Sequence, residues 1–284
     1  MPERSQYNFW GALRVFSLAV ALISCGLGIR LGWDSADPAY TLAVLLLLGG
    51  VLAQAGINLI NDTEDLRQHK AVPVSAQAEK RIILNARFGW AAFALASFIG
   101  LYLVSLRGWP LLLIFVLSGL LALNYHSGPF NFKRNGCAII QVFLLMGVIM
   151  VEASYFTMTG RFSMQVLLLS LPVGLLISLL LLSNEIRDYE SDLRDQTRTL
   201  SVRIGLPAAQ LLYWVLIGVA FIMTAVYAFW GWITLKALIW LIPALLMLPI
   251  LRKYLYAEDR SQLTPLSGRF FLVFGVAFLY MVSL

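Results

Sequence analysis

The feature that most constrains this chain is a series of nine long apolar runs separated by polar loops. Each run approaches the length of about 20 residues that an α-helix needs to cross a membrane. The runs make 60% of the 284 residues hydrophobic and leave only 13% charged, which excludes an ordinary soluble domain. The sequence therefore predicts an all-α, polytopic membrane protein. The predicted spans are residues 10–30, 40–60, 88–106, 109–125, 137–157, 163–183, 207–230, 234–251 and 268–284.

The basic residues alternate from loop to loop between these runs. Sixteen of the 21 Lys and Arg residues lie on the side of the N-terminus, four lie on the opposite side, and Arg14 falls inside the first run. Because basic loops stay in the cytoplasm, this pattern predicts a cytoplasmic N-terminus and an odd number of crossings. It also accounts for the net charge of +6, so we expect membrane lipid and not nucleic acid as a partner. The expected location is a bacterial inner membrane, and residues 1–284 are expected to form a single transmembrane domain.

Eight of the fifteen acidic residues are concentrated in two short stretches, each at the cytoplasmic end of a predicted span. We name them the first acidic segment, Asn58–Asp65, and the second acidic segment, Asn184–Asp195. Helical spacing places four side chains of each segment on one face, provided that the helix of the preceding span continues. These residues are Asn58, Asn61, Asp62 and Asp65, and Asn184, Asp188, Asp192 and Asp195. Since like charges one turn apart repel, a cation is expected between them.

These side chains supply only oxygen ligands. Magnesium prefers such ligands and takes one or two carboxylates together with substrate phosphates. Acids on two helices without accompanying His or Cys therefore suit Mg²⁺ bound to a diphosphate better than zinc or copper. The alternative is that the acids are solvated loop charges with helical spacing by chance. Two segments on the same side of the membrane, each with Asn before Asp, favour the metal site.

A diphosphate leaving group also needs positive charge where its own charge develops. Lys133 and Arg134 lie in a short cytoplasmic loop, and Arg198 follows the second acidic segment, although each also fits an ordinary loop charge. Arg14 costs about 2.5–3.5 kcal/mol at the centre of a span, so it either has a function or extends to the cytoplasmic face. Glu152 lies within an apolar run and is either a functional acid or one that is paired inside the bundle.

The paired motifs resemble those of the UbiA superfamily of membrane prenyltransferases. Asn61-Asp62-Thr-Glu-Asp65 resembles the family's first NDxxD motif, and Asp188-Tyr-Glu-Ser-Asp192 resembles its second motif, DxxxD. The stretch from Asn184 to Gly205 and the loop from Tyr125 to Arg134 are similar in particular to the branch that prenylates 1,4-dihydroxy-2-naphthoate on the way to menaquinone.

This resemblance implies nine helices around a central cavity, in which a polyprenyl diphosphate is bound through Mg²⁺ and an aromatic acceptor takes the prenyl group. It also implies a role for each matching residue. The implied metal ligands are Asn61, Asp65, Asp188 and Asp192, supported by Asp62 and Asn58. The implied substrate contacts are Lys133, Arg134, Arg198, Arg14 and Asn184, with Tyr125 on the cavity wall near the reacting carbon.

Three departures from the pattern of this branch leave the acceptor open. A third Asp is absent from residues 66–70, Asp195-Gln196-Thr197 replaces Gly-Lys, and Asn135–Ala138 replaces Gly-Leu-Gly-Glu. The first alternative is therefore a superfamily member with another acceptor, such as a different quinol precursor or a tetrapyrrole, or a cyclase that acts on an internal alkene. The second alternative is a cation-coupled transporter, which predicts acids near the middle of the membrane.

Overall fold

The computed structural model describes residues 8–34, 37, 39–68, 75–125, 132 and 135–282, with the side chains of residues 64–68 and 123 outside that description. Over these residues the regular structure is entirely helical. We number the helices in chain order: α1 (Phe9–Leu13), α2 (Val15–Leu31), α3 (Tyr40–Gln68), α4 (Ala76–Arg107), α5 (Trp109–Leu123), α6 (Ala138–Thr159), α7 (Met164–Arg187), α8 (Tyr189–Arg194), α9 (Leu200–Ile204), α10 (Leu206–Phe229), α11 (Leu235–Leu255) and α12 (Leu263–Met281).

The predicted all-α, multi-pass membrane class is confirmed. Within the described residues, eight spans are long and apolar enough to cross a membrane: α1 with α2, then α3, α4, α6, α7, α10, α11 and α12. The predicted span 109–125 instead forms α5, whose 15 residues rise about 22 Å against about 30 Å of hydrocarbon. Gly108, at φ 81°, precedes this helix, and Asn124 ends it. The predicted number of nine is therefore approximate.

Two helices extend beyond the predicted spans because polar residues continue them. Helix α3 runs through the first acidic segment to Gln68, so the expected helical continuation there is confirmed. Helix α4 begins at Ala76 and not near residue 88, because the Ser75 hydroxyl accepts a hydrogen bond from the Ala78 N–H at 3.3 Å and caps the helix. Hydropathy detects only the apolar part of such helices.

Helix α7 lies at the centre of the bundle. It packs against α2, α6, α10 and α12. The side chains that fill its surroundings are fully buried: Val173, Leu176, Leu179, Leu182 and Ile186 of α7 and Phe270, Phe271, Phe274 and Phe278 of α12. Because α7 is enclosed on several sides, its C-terminal end presents the second acidic segment from a fixed position.

Helix α6 approaches α7 closely at a pair of glycines. Residues Phe143–Ile149 of α6 form a π-helix, a geometry that often marks functional sites. A Cβ atom added to Gly147 of this stretch would lie 2.3 Å from the Cα atom of Gly174 in α7. Only a residue without a side chain fits at this crossing.

We expect Gly147→Ala to destabilise the purified protein by about 1–3 kcal/mol, because the added methyl forces α6 and α7 apart. The matched control is Gly218→Ala in α10, where an added Cβ meets nothing within 4 Å. Thermal unfolding in detergent measures both variants. Equal melting temperatures for the two would contradict the close crossing.

Candidate active site

The first acidic segment is attached to the start of α2 by buried amide hydrogen bonds. Asn58, only 5% exposed, donates from Nδ2 to the Leu13 carbonyl at 2.8 Å and to the Ser17 hydroxyl at 2.6 Å. One turn earlier, Gln54 donates to Asn58 Oδ1 at 3.2 Å. Asn58 therefore fixes the segment against the first span through these contacts.

Arg14 is the second connection. It separates α1 from α2 and adopts a left-handed backbone conformation, with φ 49° and ψ 58°. Its guanidinium pairs with Asp62 at 3.1 Å, where the Asp62 side chain is 8% exposed and that of Arg14 is 44% exposed. The charged end of Arg14 therefore reaches the first acidic segment. A long arginine side chain can do this while its aliphatic part lies along apolar surface.

Asn61 is the most informative residue of the first acidic segment. Its Oδ1 atom is buried and has no hydrogen-bond partner among the described residues. Buried polar atoms nearly always have partners, so this orphaned amide oxygen within the acidic segment indicates that a cation or a donor belongs there. An amide oxygen and a carboxylate are ligands that suit Mg²⁺. Asp65 lies in α3, but its side chain is outside the described part of the chain.

The second acidic segment is not one continuous helix, contrary to prediction. Helix α7 ends at Arg187, Asp188 has ψ 7°, and α8 occupies Tyr189–Arg194, with Asp195 beyond it. The cause lies in the sequence: Arg187 donates to both oxygens of Asp188, at 2.7 and 2.6 Å. Neighbouring residues point away from each other on a regular helix, so this pairing requires a bend.

The bend leaves the helical hydrogen bonds on both sides intact. The Asp188 N–H donates to the Asn184 carbonyl, and the Asp192 N–H donates to the Asp188 carbonyl, both at 2.9 Å. Asn184 is half-buried, and the Asp188 side chain is 43% exposed. The Thr199 hydroxyl donates to Asp192 Oδ2 at 3.2 Å. Asp188 and Asp192 thus remain one turn apart, and the Asp195 N–H donates to the Ser191 carbonyl at 2.9 Å.

The loop after α8 meets the loop that precedes α6. The Arg198 carbonyl accepts a hydrogen bond from Arg203 Nε at 3.0 Å, and the Arg198 residue is exposed. A Cβ added to Gly136 would lie 2.7 Å from the Arg203 side chain. Tyr125 is half-buried at the end of α5. Lys133 and Arg134 lie outside the described residues.

Several residues of the site were not identified from the sequence. Gln54 continues the spacing of the first acidic segment by one turn, so extending that pattern backward would have found it. Arg187 adjoins a named acid but was counted only as a loop charge. Ser17 and the buried Arg260, which pairs with Glu190 of α8, carry no sequence signal because their partners are distant in the chain.

In the described part of the chain, no three His, Cys, Asp or Glu side chains come together as a metal site. The donor set nevertheless fits Mg²⁺, because the orphaned Asn61 atom and the other motif ligands are all oxygens. Glu152 is 8% exposed. Its carboxylate faces the backbone of Ser163 and Leu167, although neither contact meets hydrogen-bond geometry.

The fold defines a multi-pass helical membrane protein, with one oxygen-rich segment toward the end of α3 and another at the end of α7. The UbiA prenyltransferase family matches residues 14–278, and the chain belongs to this family. The protein is therefore an intramembrane prenyltransferase.

Individual relatives are more distant. The chain is 25% identical over 220 residues to the 1,4-dihydroxy-2-naphthoate octaprenyltransferase of Bacillus subtilis (strain 168), which covers 75% of this chain and 71% of that protein. A UbiA homologue from Archaeoglobus fulgidus bound to GPP and Mg²⁺ superposes with a TM-score of 0.65 at 18% identity, covering 96% of this chain and 99% of that one. A digeranylgeranylglyceryl phosphate synthase superposes with a TM-score of 0.64 at 17% identity, over 100% and 99% of the two chains. At these identities the structures establish the fold.

Two substitutions at Arg14 distinguish the effect of its backbone conformation on stability from the effect of its side chain. Arg14→Gly and Arg14→Ala both remove the ion pair with Asp62, but only alanine retains the cost of a left-handed conformation. We expect the glycine variant to be more stable by about 1 kcal/mol. Thermal unfolding of the two purified variants measures the difference. An alanine variant at least as stable as the glycine variant would contradict the left-handed backbone at this position.

Proposed function

We propose that the protein transfers a prenyl group from a polyprenyl diphosphate to an aromatic acceptor in a Mg²⁺-dependent reaction, with 1,4-dihydroxy-2-naphthoate as the acceptor in menaquinone biosynthesis. Family membership supports the transfer reaction. The naphthoate acceptor is supported by the similarity to the 1,4-dihydroxy-2-naphthoate octaprenyltransferase of Bacillus subtilis. Mg²⁺ and a prenyl diphosphate are supported by what the Archaeoglobus homologue binds.

The observation that carries the metal assignment is the buried Oδ1 atom of Asn61, which has no partner among the described residues. In this proposal the metal ligands are Asn61, Asp65, Asp188 and Asp192, with Asp62 and Asn58 positioning them. When bound, Mg²⁺ supplies positive charge against the departing diphosphate.

The chain's own cations complete the diphosphate site. Lys133, Arg134 and Arg198 bind phosphate oxygens in this proposal, and Arg14 holds Asp62 in place. Asp188 is paired with Arg187, so its carboxylate would have to release that partner in order to hold the metal. The Arg187 guanidinium then faces the incoming diphosphate, where a planar group with several donors matches phosphate geometry.

The acceptor reacts at the ring carbon that bears the carboxylate. That carbon forms a bond to C1 of the prenyl group as the bond from C1 to the diphosphate oxygen breaks. Loss of the carboxylate as CO₂ returns its electron pair to the ring and restores aromaticity. Tyr125 lines the acceptor side of the cavity in this proposal, and the surrounding apolar helices exclude water from the developing cation.

We further propose that the chain forms a single domain in a bacterial inner membrane, with both acidic segments on the cytoplasmic side. The distribution of Lys and Arg supports this orientation. The departures from the naphthoate branch support one alternative within the family, a different acceptor or an internal alkene. The transporter alternative loses its basis, because the family is one of transferases.

We expect Asp188→Ala and Asp65→Ala to lower Mg²⁺-dependent prenyl transfer at least a hundredfold, because each removes a charge that holds the metal–diphosphate complex. Full-length variants in membranes are assayed with a radiolabelled prenyl diphosphate. Asp259→Ala, an exposed acid between α11 and α12, is the control and should retain activity. Undiminished turnover in the first two variants would overturn the ligand assignment.

The acceptor is tested separately by incubating membranes with one prenyl diphosphate and a panel of acceptors. We expect mass spectrometry to find a prenylated naphthalene that has lost CO₂ when dihydroxynaphthoate is supplied. A product formed only from another acceptor would replace the naphthoate assignment and leave the transferase assignment intact.

A further inference from the structure

Two carboxamide side chains at the C-terminal end of α5 each leave a buried oxygen without a hydrogen-bond partner. Gln141 of α6, 5% exposed, donates from Nε2 to the Leu121 carbonyl at 2.5 Å. Asn124 donates from Nδ2 to the Leu120 carbonyl at 2.9 Å. A carbonyl can only accept, so each amide must turn its NH₂ group to the backbone. The remaining atoms, Gln141 Oε1 and Asn124 Oδ1, are buried and have no partner in the described part of the chain.

These two atoms restrict what belongs beside them. Buried acceptors without partners are costly and uncommon, so a pair of them at one helix end indicates a donor supplied by a ligand. The last turn of α5 carries the negative end of the helix dipole, which favours a hydrogen-bond donor at these atoms and disfavours the highly charged diphosphate there. Two uncharged amide oxygens are also weak ligands for a cation. A neutral hydroxyl donor matches them best.

The position of Gln141 relates this pair to the diphosphate site. Gly136, five residues earlier, lies against the Arg203 side chain, and an added Cβ would be 3.5 Å from the Arg198 carbonyl. The chain becomes helical immediately after Cys137. Gln141 therefore lies about one helical turn, or roughly 5.4 Å, further into the bundle than the loop that meets Arg198.

We propose that Gln141 and Asn124 bind the acceptor, each amide oxygen accepting a hydrogen bond from a ring hydroxyl. This inference rests on the proposed function and defines its substrate class as aromatic acceptors that carry hydroxyl donors. A site built to accept from a hydroxyl rejects an analogue that lacks it, because the protein oxygen is then left unpaired. The accepted bond also raises the electron density of the ring that attacks the prenyl cation.

The test compares acceptors that differ by one hydroxyl. Full-length protein in membranes, with saturating prenyl diphosphate and Mg²⁺, is assayed for kcat/KM with 1,4-dihydroxy-2-naphthoate and with its 1-hydroxy and 4-hydroxy analogues. We expect the wild type to prefer the dihydroxy acceptor over at least one analogue. In Gln141→Met, the ratio of the kcat/KM values for the two acceptors should fall about tenfold. The KM for prenyl diphosphate should not change. Differences in ring reactivity cancel because they are common to both proteins.

Gln210→Met is the matched control. Gln210 also donates from Nε2 to a helix-end carbonyl, that of Leu255 at 2.9 Å, but has no orphaned oxygen among the buried atoms. It should leave the preference unchanged. If Gln141→Met does not fold, the same acceptor preference is measured for Asn124→Leu, which should lose it in the same way.

The outcomes distinguish this inference from the proposed function. An active wild type whose preference survives in Gln141→Met or, if that variant does not fold, in Asn124→Leu overturns the inference alone. An equal loss with all three acceptors, as a purely structural amide would give, also overturns it. A wild type that prenylates no hydroxylated aromatic overturns the proposed function and this inference with it.

Discussion

The structure depends on burying a row of amide and carboxylate side chains inside an otherwise apolar bundle. Gln54, Asn58 and Asp62 follow one face of α3 and are each about 6% exposed or less. Without water in the hydrocarbon core, such groups must find partners within the protein. The interruption at Arg14 provides them, because it frees the Leu13 carbonyl for Asn58 and directs a guanidinium at Asp62. The break in the first span and the first acidic segment therefore require each other.

The two acidic segments are organised differently. The first is fixed by buried contacts, whereas the second begins at a half-exposed bend where Asp188 is held by its neighbour Arg187. A first acidic segment fixed by buried contacts and a second one whose carboxylate can exchange its partner suit a site that assembles around a charged prenyl diphosphate. The start of the second segment lies in α7, which neighbouring helices enclose, whereas Asp192 lies in α8, which has no buried side chains.

Much of this architecture follows from the sequence, and the limits have physical causes. Hydropathy located the spans because crossing lipid requires long apolar helices, but it missed the polar extension of α4 that begins at Ala76. Helical spacing predicted the shared face of the first acidic segment in α3. The predicted single helix was wrong for the second, because the helix is interrupted at Asp188, where Arg187 pairs with the carboxylate. Contacts such as Asn58 with Leu13 or Gln141 with Leu121 depend on which helices pack together, and a single sequence does not contain that information.

The central claim is that both acidic segments hold one metal-bound diphosphate. The most direct measurement is a crystal structure of the full-length protein with Mn²⁺ and a non-hydrolysable prenyl thiodiphosphate, in which anomalous scattering locates the metal. We expect Mn²⁺ between the segments, with Asn61 and Asp188 both among the residues that ligate it directly or through water. Metal and diphosphate bound to only one segment, with the other facing solvent, would contradict it.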